Sequence, residues 1–228
     1  MRYTHVIFDL DGTLLDTLQD LACACNLVCA RSGWPTFPVD AYRYKVGNGM
    51  PKLVERIIPA EFAGMPDVYE RTLSAFQAAY AAHREDHTAP YPGIIDTLDE
   101  LAAAGATLAV LSNKDHAAVV PLVERYFGKR FALVQGRVDA FPPKPAAPIT
   151  RYVLDALGAP VASTLYVGDS SVDVETGHNA GLDVAGVAWG FRGRAELERA
   201  GADHIAKKPA ELLGIVRGTR GATARLKP

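Results

Sequence analysis

Long apolar runs are missing from this 228-residue chain. None reaches the roughly 18 residues that a membrane-spanning helix needs. The N-terminus runs straight into Arg2-Tyr3-Thr4-His5, without the pattern of a secretory leader. These absences predict a cytoplasmic protein with no membrane partner. An excess of either charge is missing too: 24 Lys and Arg face 26 Asp and Glu, so no overall basic field argues for nucleic acid. Cysteine is scarce, with three residues, Cys23, Cys25 and Cys29, in one expected helix. Cys25 and Cys29 share a face there while Cys23 points elsewhere, and no histidine or fourth cysteine completes a zinc set. Packing thiols in a reducing compartment fit that pattern. The six histidines are scattered, with no triad or ligand spacing. What is plentiful is apolar side chain, 49% of the residues, enough to bury a substantial core.

The chain changes character twice. Tyr3 to Phe8 reads as a buried strand. From Asp16 to Thr88 the spacing is helical: Thr17–Ala30, Val39–Tyr44, Lys52–Ile58 behind Pro51, and Pro66–Arg84, with a sharp turn at Gly47-Asn48-Gly49. Beyond Pro90, strands and helices alternate. Strands are expected at Thr107–Leu111, Phe131–Val134, Thr164–Val167, Val184–Val187 and His204–Ala206. Helices are expected at Gly93–Ala104, Asp115–Tyr126, Pro148–Leu157, Val172–Ala180 and Pro209–Val216. Such alternation implies an α/β fold, a Rossmann-like parallel sheet covered by helices on both faces, with an all-helical domain inserted after the first strand. The expected domains are therefore a discontinuous core, residues 1–15 and 89–228, and a helical cap, residues 16–88. The basic tail, Gly218 to Pro228, has little apolar content and reads as flexible.

The ends of the strands carry the chemistry. In an open parallel sheet, reactive groups gather just past the carboxyl ends of the strands. The first strand stops on Asp9-Leu10-Asp11-Gly12-Thr13, two acids and a glycine that permits a tight turn. Such a pair suits a nucleophile, an acid/base partner and a divalent cation, or simply caps the next helix. The second strand ends in Ser112-Asn113-Lys114, polar groups ahead of a helix N-terminus, which either bind an anion or cap that helix. After the third strand, Lys144 stands between prolines in Pro142-Pro143-Lys144-Pro145, a fixed positive charge or a solvated loop residue. The fourth ends in Gly168-Asp169-Ser170-Ser171-Val172-Asp173, again two acids, with capping as the alternative.

In this order the four motifs resemble those of the haloacid dehalogenase superfamily of phosphatases, over essentially the whole chain up to the tail. The insert looks like that family's small helical cap, and the nearest relatives suggested are phosphoglycolate-phosphatase-like enzymes. The resemblance implies Mg²⁺-dependent hydrolysis of a small phosphate monoester through an aspartyl-phosphate. It makes Asp9 the nucleophile and Asp11 the acid/base. Asp9, Asp11 (through its main-chain carbonyl) and Asp169 become the metal ligands. Ser112 and Lys144 bind the phosphate, with Gly12 and Asn113 in support, and Ser170 and Asp173 lie behind them. Asn48 and Gly49 fall where the family's cap lowers a specificity loop, and Arg43, Lys45 or Lys52 are candidate cap cations. Arg192, in the loop after the fifth strand, reads as a surface residue. The expected partner is a small phosphorylated metabolite, with the protein a monomer or homodimer. A phosphosugar mutase shares every motif and stays open, as does a phosphoacceptor signalling module, which however lacks the helical insert and the second acid. A dehalogenase needs neither Mg²⁺ nor Asp11.

Overall fold

A computed structural model describes residues 1–219; most of the basic tail lies outside the described residues. The chain forms two compact units, one made of Met1–Leu15 with the chain from Pro90 onward, the other of Asp16–Ala89. Strand β1 (His5–Phe8) leads to the two-residue β2 (Leu15–Asp16), where the chain enters the helical unit. That unit holds α1 (Leu18–Arg31), α2 (Met50–Glu55) and α3 (Pro66–His83), with 3₁₀ turns at Val39–Tyr44 and Ala60–Phe62. The chain leaves through the two-residue β3 (Ala89–Pro90) and then alternates: α4 (Ile94–Ala103), β4 (Thr107–Asp115), α5 (His116–Phe127), β5 (Leu133–Arg137), α6 (Ala147–Leu157), β6 (Thr164–Gly168), α7 (Ser171–Asn179), β7 (Asp183–Val187), α8 (Arg194–Ala200), β8 (His204–Ala206) and α9 (Glu211–Arg217).

Six strands make one parallel sheet in the order β5-β4-β1-β6-β7-β8. The first strand in sequence is thus central, between β4 and β6. Burial on both faces explains why these strands read as continuous apolar runs. Successive side chains alternate between two cores. Val6, Phe8, Leu108, Val110, Leu165 and Val167 join α4, α5 and α9 on one face. Ile7, Ala109, Leu111 and Tyr166 join α6, α7 and α8 on the other. Among the described residues, no helix is long and apolar enough to cross a membrane.

Three elements differ from expectation. Strand β4 runs on through Ser112, Asn113 and Lys114 to Asp115, with a register irregularity after Leu111. Polarity suggested a stop at Leu111, but buried partners satisfy these side chains inside the sheet. Strand β5 likewise continues through Gln135 and Gly136 to Arg137, which pairs with Asp115 of β4 at 3.5 Å. Helix α8 has a single buried apolar side chain, Leu197, and therefore no hydrophobic period to read. In α1, Cys25 and Cys29 are buried and Cys23 is exposed.

Candidate active site

Asp9 follows β1 directly, and its main-chain N–H donates to Val167 of β6 at 2.9 Å. The central strand thereby delivers its carboxylate between two neighbours. The Asp9 residue is 7% exposed, and its Oδ1 accepts a hydrogen bond from Lys144 Nζ at 2.7 Å. The same ammonium lies 2.9 Å from Asp173 Oδ1, 2.9 Å from the Tyr166 hydroxyl and 3.1 Å from the Leu111 carbonyl. Lys144 is buried, so the lysine held between prolines is an interior charge and not a solvated one. Its main chain is gripped from both sides by one side chain: Asn113 Oδ1 accepts from the Lys144 N–H at 2.9 Å, and Asn113 Nδ2 donates to the Lys144 carbonyl at 3.1 Å.

Asp169 and Asp173 come from the end of β6 and the first turn of α7. Asp173 Oδ2 accepts from the Ser170 N–H at 3.1 Å and the Ser170 hydroxyl at 2.6 Å, closing a capping box. Asp173 therefore caps its helix with one oxygen and holds Lys144 with the other. Asp169 Oδ2 accepts from the Phe191 N–H at 2.6 Å. Main chain packs hard against this carboxylate. A Cβ at Gly12, where φ is +90°, would stand 2.5 Å from Asp169 Oδ2, and one at Gly190 would collide with Asp169 Cβ.

Asp9, Asp169 and Asp173 each offer a carboxylate oxygen within 4.8 Å of the others, and all three are buried. One ammonium faces this negative cluster. Burial pushes the Asp9 carboxyl up to about 7, with Asp173 and Asp11 adding to the rise and Lys144 opposing it. Asp169 is pushed well above the carboxylate range by burial and then by Asp173 and Asp9, against the Phe191 N–H and Arg192. Burial works against the charge on Lys144, but Asp173 and Asp9 outweigh it and hold the ammonium protonated. Ionised together, the three carboxylates would carry more negative charge than Lys144 offsets, and the upward push on Asp9 and Asp169 registers that deficit. An all-oxygen, carboxylate-rich donor set with that deficit fits a hard divalent cation.

Asp11 stands apart from this cluster in its partner. Lys114 Nζ donates to Asp11 Oδ1 at 2.8 Å and to Oδ2 at 2.9 Å. Ser112 is buried at the same strand end, its hydroxyl oxygen accepting from the Lys114 N–H at 3.2 Å. Gly12 N–H donates to Leu15 O at 2.8 Å, closing the turn that carries Asp11.

The helical unit holds the remaining candidates. Asn48 lies in the turn between Gly47 and Gly49, both at positive φ, and its Oδ1 accepts from Arg56 Nη2 at 2.8 Å. Arg56 also donates to the Lys45 carbonyl at 2.7 Å, and Lys45 Nζ donates back to the Arg56 carbonyl at 3.0 Å. Arg43 pairs with Asp40 at 3.0 Å, and Lys52 with Glu55 at 2.6 Å. Each candidate cation has a partner within a few residues or across one turn.

Four groups lie outside the residues that the sequence motifs single out. Lys114 was adjacent to the named serine and asparagine, and its burial was the missing signal. Tyr166 had no sequence signal beyond a hydroxyl inside an apolar strand, which generally needs a partner. The Phe191 N–H is main chain and leaves no mark in sequence. Arg56 sits in a helical pattern that hides its bracing role. Arg192 corrects an expectation: its side chain is 10% exposed and 3.7 Å from Glu196, because α8 folds back beside α7. It is not a surface residue.

Residues 6–187 match the haloacid dehalogenase-like hydrolase family. A phosphoglycolate phosphatase of Chromobacterium violaceum is 34% identical over 93% of this chain and 96% of its own length. One from Pseudomonas syringae pv. tomato is 36% identical over 82% of this chain and 70% of its own. A crystal structure from Lactobacillus delbrueckii subsp. bulgaricus, of a candidate phosphoglycolate phosphatase, superposes with a TM-score of 0.89 at 32% identity, covering 95% of this chain and 99% of that one. With its buried aspartates at the strand ends and its inserted helices, the chain belongs to the haloacid dehalogenase-like hydrolases and is a phosphatase-type enzyme of that family.

Proposed function

We propose that this enzyme hydrolyses small phosphate monoesters through an aspartyl-phosphate on Asp9, with 2-phosphoglycolate as the preferred substrate and Mg²⁺ as the metal. The observation that carries the reading is the buried Asp9 carboxylate held by Lys144 beside Asp169 and Asp173. The choice of ester is supported by the relatives, which bear the name phosphoglycolate phosphatase.

In the first step the Asp9 carboxylate attacks phosphorus, the ester P–O bond breaks, and Asp11 gives its proton to the departing oxygen. In the second, water attacks the phosphorus, Asp11 takes a proton from it, and the bond to Asp9 breaks. Inorganic phosphate leaves and both carboxyl groups return to their starting state. Lys144 holds Asp9 in place and, with the Ser112 hydroxyl, offsets charge on the non-bridging oxygens. Asn113 contributes by fixing the Lys144 main chain, and Asp173 by anchoring the ammonium. The Asp9 and Asp169 carboxylates and the Asp11 main-chain carbonyl would hold Mg²⁺, which when bound would supply Lewis-acid screening between the anionic nucleophile and the anionic ester.

The test is phosphate release from 2-phosphoglycolate and phenyl phosphate, with and without EDTA, beside Asp9→Asn. Metal-dependent turnover lost in the variant is expected, with kcat/KM highest for 2-phosphoglycolate in a panel of small esters. Activity that survives both EDTA and the substitution would reject the mechanism. Steady phosphate release without a bisphosphate activator separates hydrolysis from a mutase reaction.

A further inference from the structure

Lys114 has no task in the hydrolytic scheme, yet it is a buried ammonium aimed at the proton-transferring residue. Its side chain is 6% exposed, and it donates to both oxygens of Asp11 at 2.8 and 2.9 Å. An Asp11 that carries a proton to a departing ester oxygen gives up part of that two-point grip. Lys114 then loses hydrogen bonds to a carboxylate in a buried place, which is costly. A substrate that brings its own anion to the same spot removes that cost.

We propose that Lys114 is the specificity residue for the leaving group, exchanging Asp11 for a carboxylate that the substrate carries next to its ester oxygen. The position sets the chemical class. Lys114 Nζ sits within hydrogen-bond distance of the carboxylate that serves the leaving oxygen, so the anion it meets is separated from that oxygen by about one carbon. Phosphate esters of 2-hydroxy acids have this arrangement; esters of simple alcohols do not. Lys144 and Ser112 serve the phosphoryl group, so Lys114 is a second cation for a second anion. This inference rests on the reading of Asp9 and Asp11 given above and adds what makes the enzyme select among esters.

The experiment compares matched esters with and without the carboxylate: 2-phosphoglycolate against ethyl phosphate, and 2-phospholactate against isopropyl phosphate. For the wild type and Lys114→Met, the ratio of kcat/KM within each pair is measured. The ratio is expected to fall roughly 100-fold in the variant, the usual scale for removing one partner of a desolvated charge pair. The loss should lie mainly in KM of the carboxylated ester. Lys114→Arg should keep part of the preference, and Lys114→Gln replaces the methionine variant if that one does not fold. An equal loss on both members of each pair, carried by kcat, would show that Lys114 only positions Asp11 and would overturn the proposal. An unchanged ratio would overturn it too. Failure of the hydrolytic reading looks different: wild-type turnover would then be independent of Asp9 and metal. If 2-phosphoglycolate is merely not the favoured ester, the lactate pair still tests Lys114.

Discussion

The two units of this chain set their candidate cations in different ways: Lys144 is buried, while Arg43 and Lys52 lie near the surface. In the sheet unit, Asp9, Lys144, Asp169 and Asp173 are buried, come from three distant stretches of sequence, and hold one another at 2.7 to 2.9 Å where they pair. In the helical unit, Arg43, Lys45 and Lys52 are paired with neighbours close in the chain, Asp40, the Arg56 carbonyl and Glu55. The first arrangement costs desolvation; the second is inexpensive and common on any surface. The proposed chemistry rests on the sheet unit's interior charges, whereas a buried acid of the helical unit, Asp20, accepts hydrogen bonds from the main chain of His87 and Thr88.

The sharpest break in the comparison is Asp9→Asn. It removes a nucleophile while keeping shape, and kcat should fall by roughly 10⁴-fold or more with an unchanged circular dichroism spectrum. Lys144→Met comes next. It leaves Asp9 and Asp173 buried without their ammonium, so activity should drop by roughly 10³-fold and unfolding free energy by about 3 kcal/mol, read from denaturant titration. Chelation probes the charge deficit itself. If Mg²⁺ fills the carboxylate cluster, raising it to about 100-fold above its Kd should stabilise the fold by about 2.7 kcal/mol, seen as a higher Tm, and Asp169→Asn should abolish that rise. The smallest effect belongs to the helical unit. Lys52→Ala removes an exposed i,i+3 pair and should change stability by less than about 0.5 kcal/mol, with phenyl phosphate hydrolysis altered less than twofold. A tenfold loss there would erase the contrast between the units.

The same contrast explains what could be read from the amino-acid order. Asp9, Asp11 and Asp169 stand out as candidates because each follows an apolar strand, where a charge has no packing reason to be; Lys144 stands out by the prolines around it. Asp173 shows why capping and chemistry are hard to tell apart: it does both, through separate oxygens. Lys114 was invisible as a site residue because β4 was expected to end at Leu111; only the continued strand buries it and turns it onto Asp11. Helix α8 escaped because Leu197 alone faces the core. The main-chain contacts that cradle Asp169, from Gly12, Gly190 and the Phe191 N–H, depend on tertiary closeness that no spacing encodes. In the helical unit, the Gly47-Asn48-Gly49 turn was readable from its glycines, whereas its brace, Arg56, was not.

The most direct test of the central claim is to trap the covalent intermediate. The enzyme, mixed with a small phosphate ester and Mg²⁺, is quenched in acid within one turnover, reduced with borohydride and mapped by mass spectrometry. An acyl phosphate at Asp9 is reduced to homoserine, so conversion at position 9 alone, absent when the ester is withheld, is the predicted result. Full turnover with an unmodified Asp9, or modification at another carboxylate, would contradict the account.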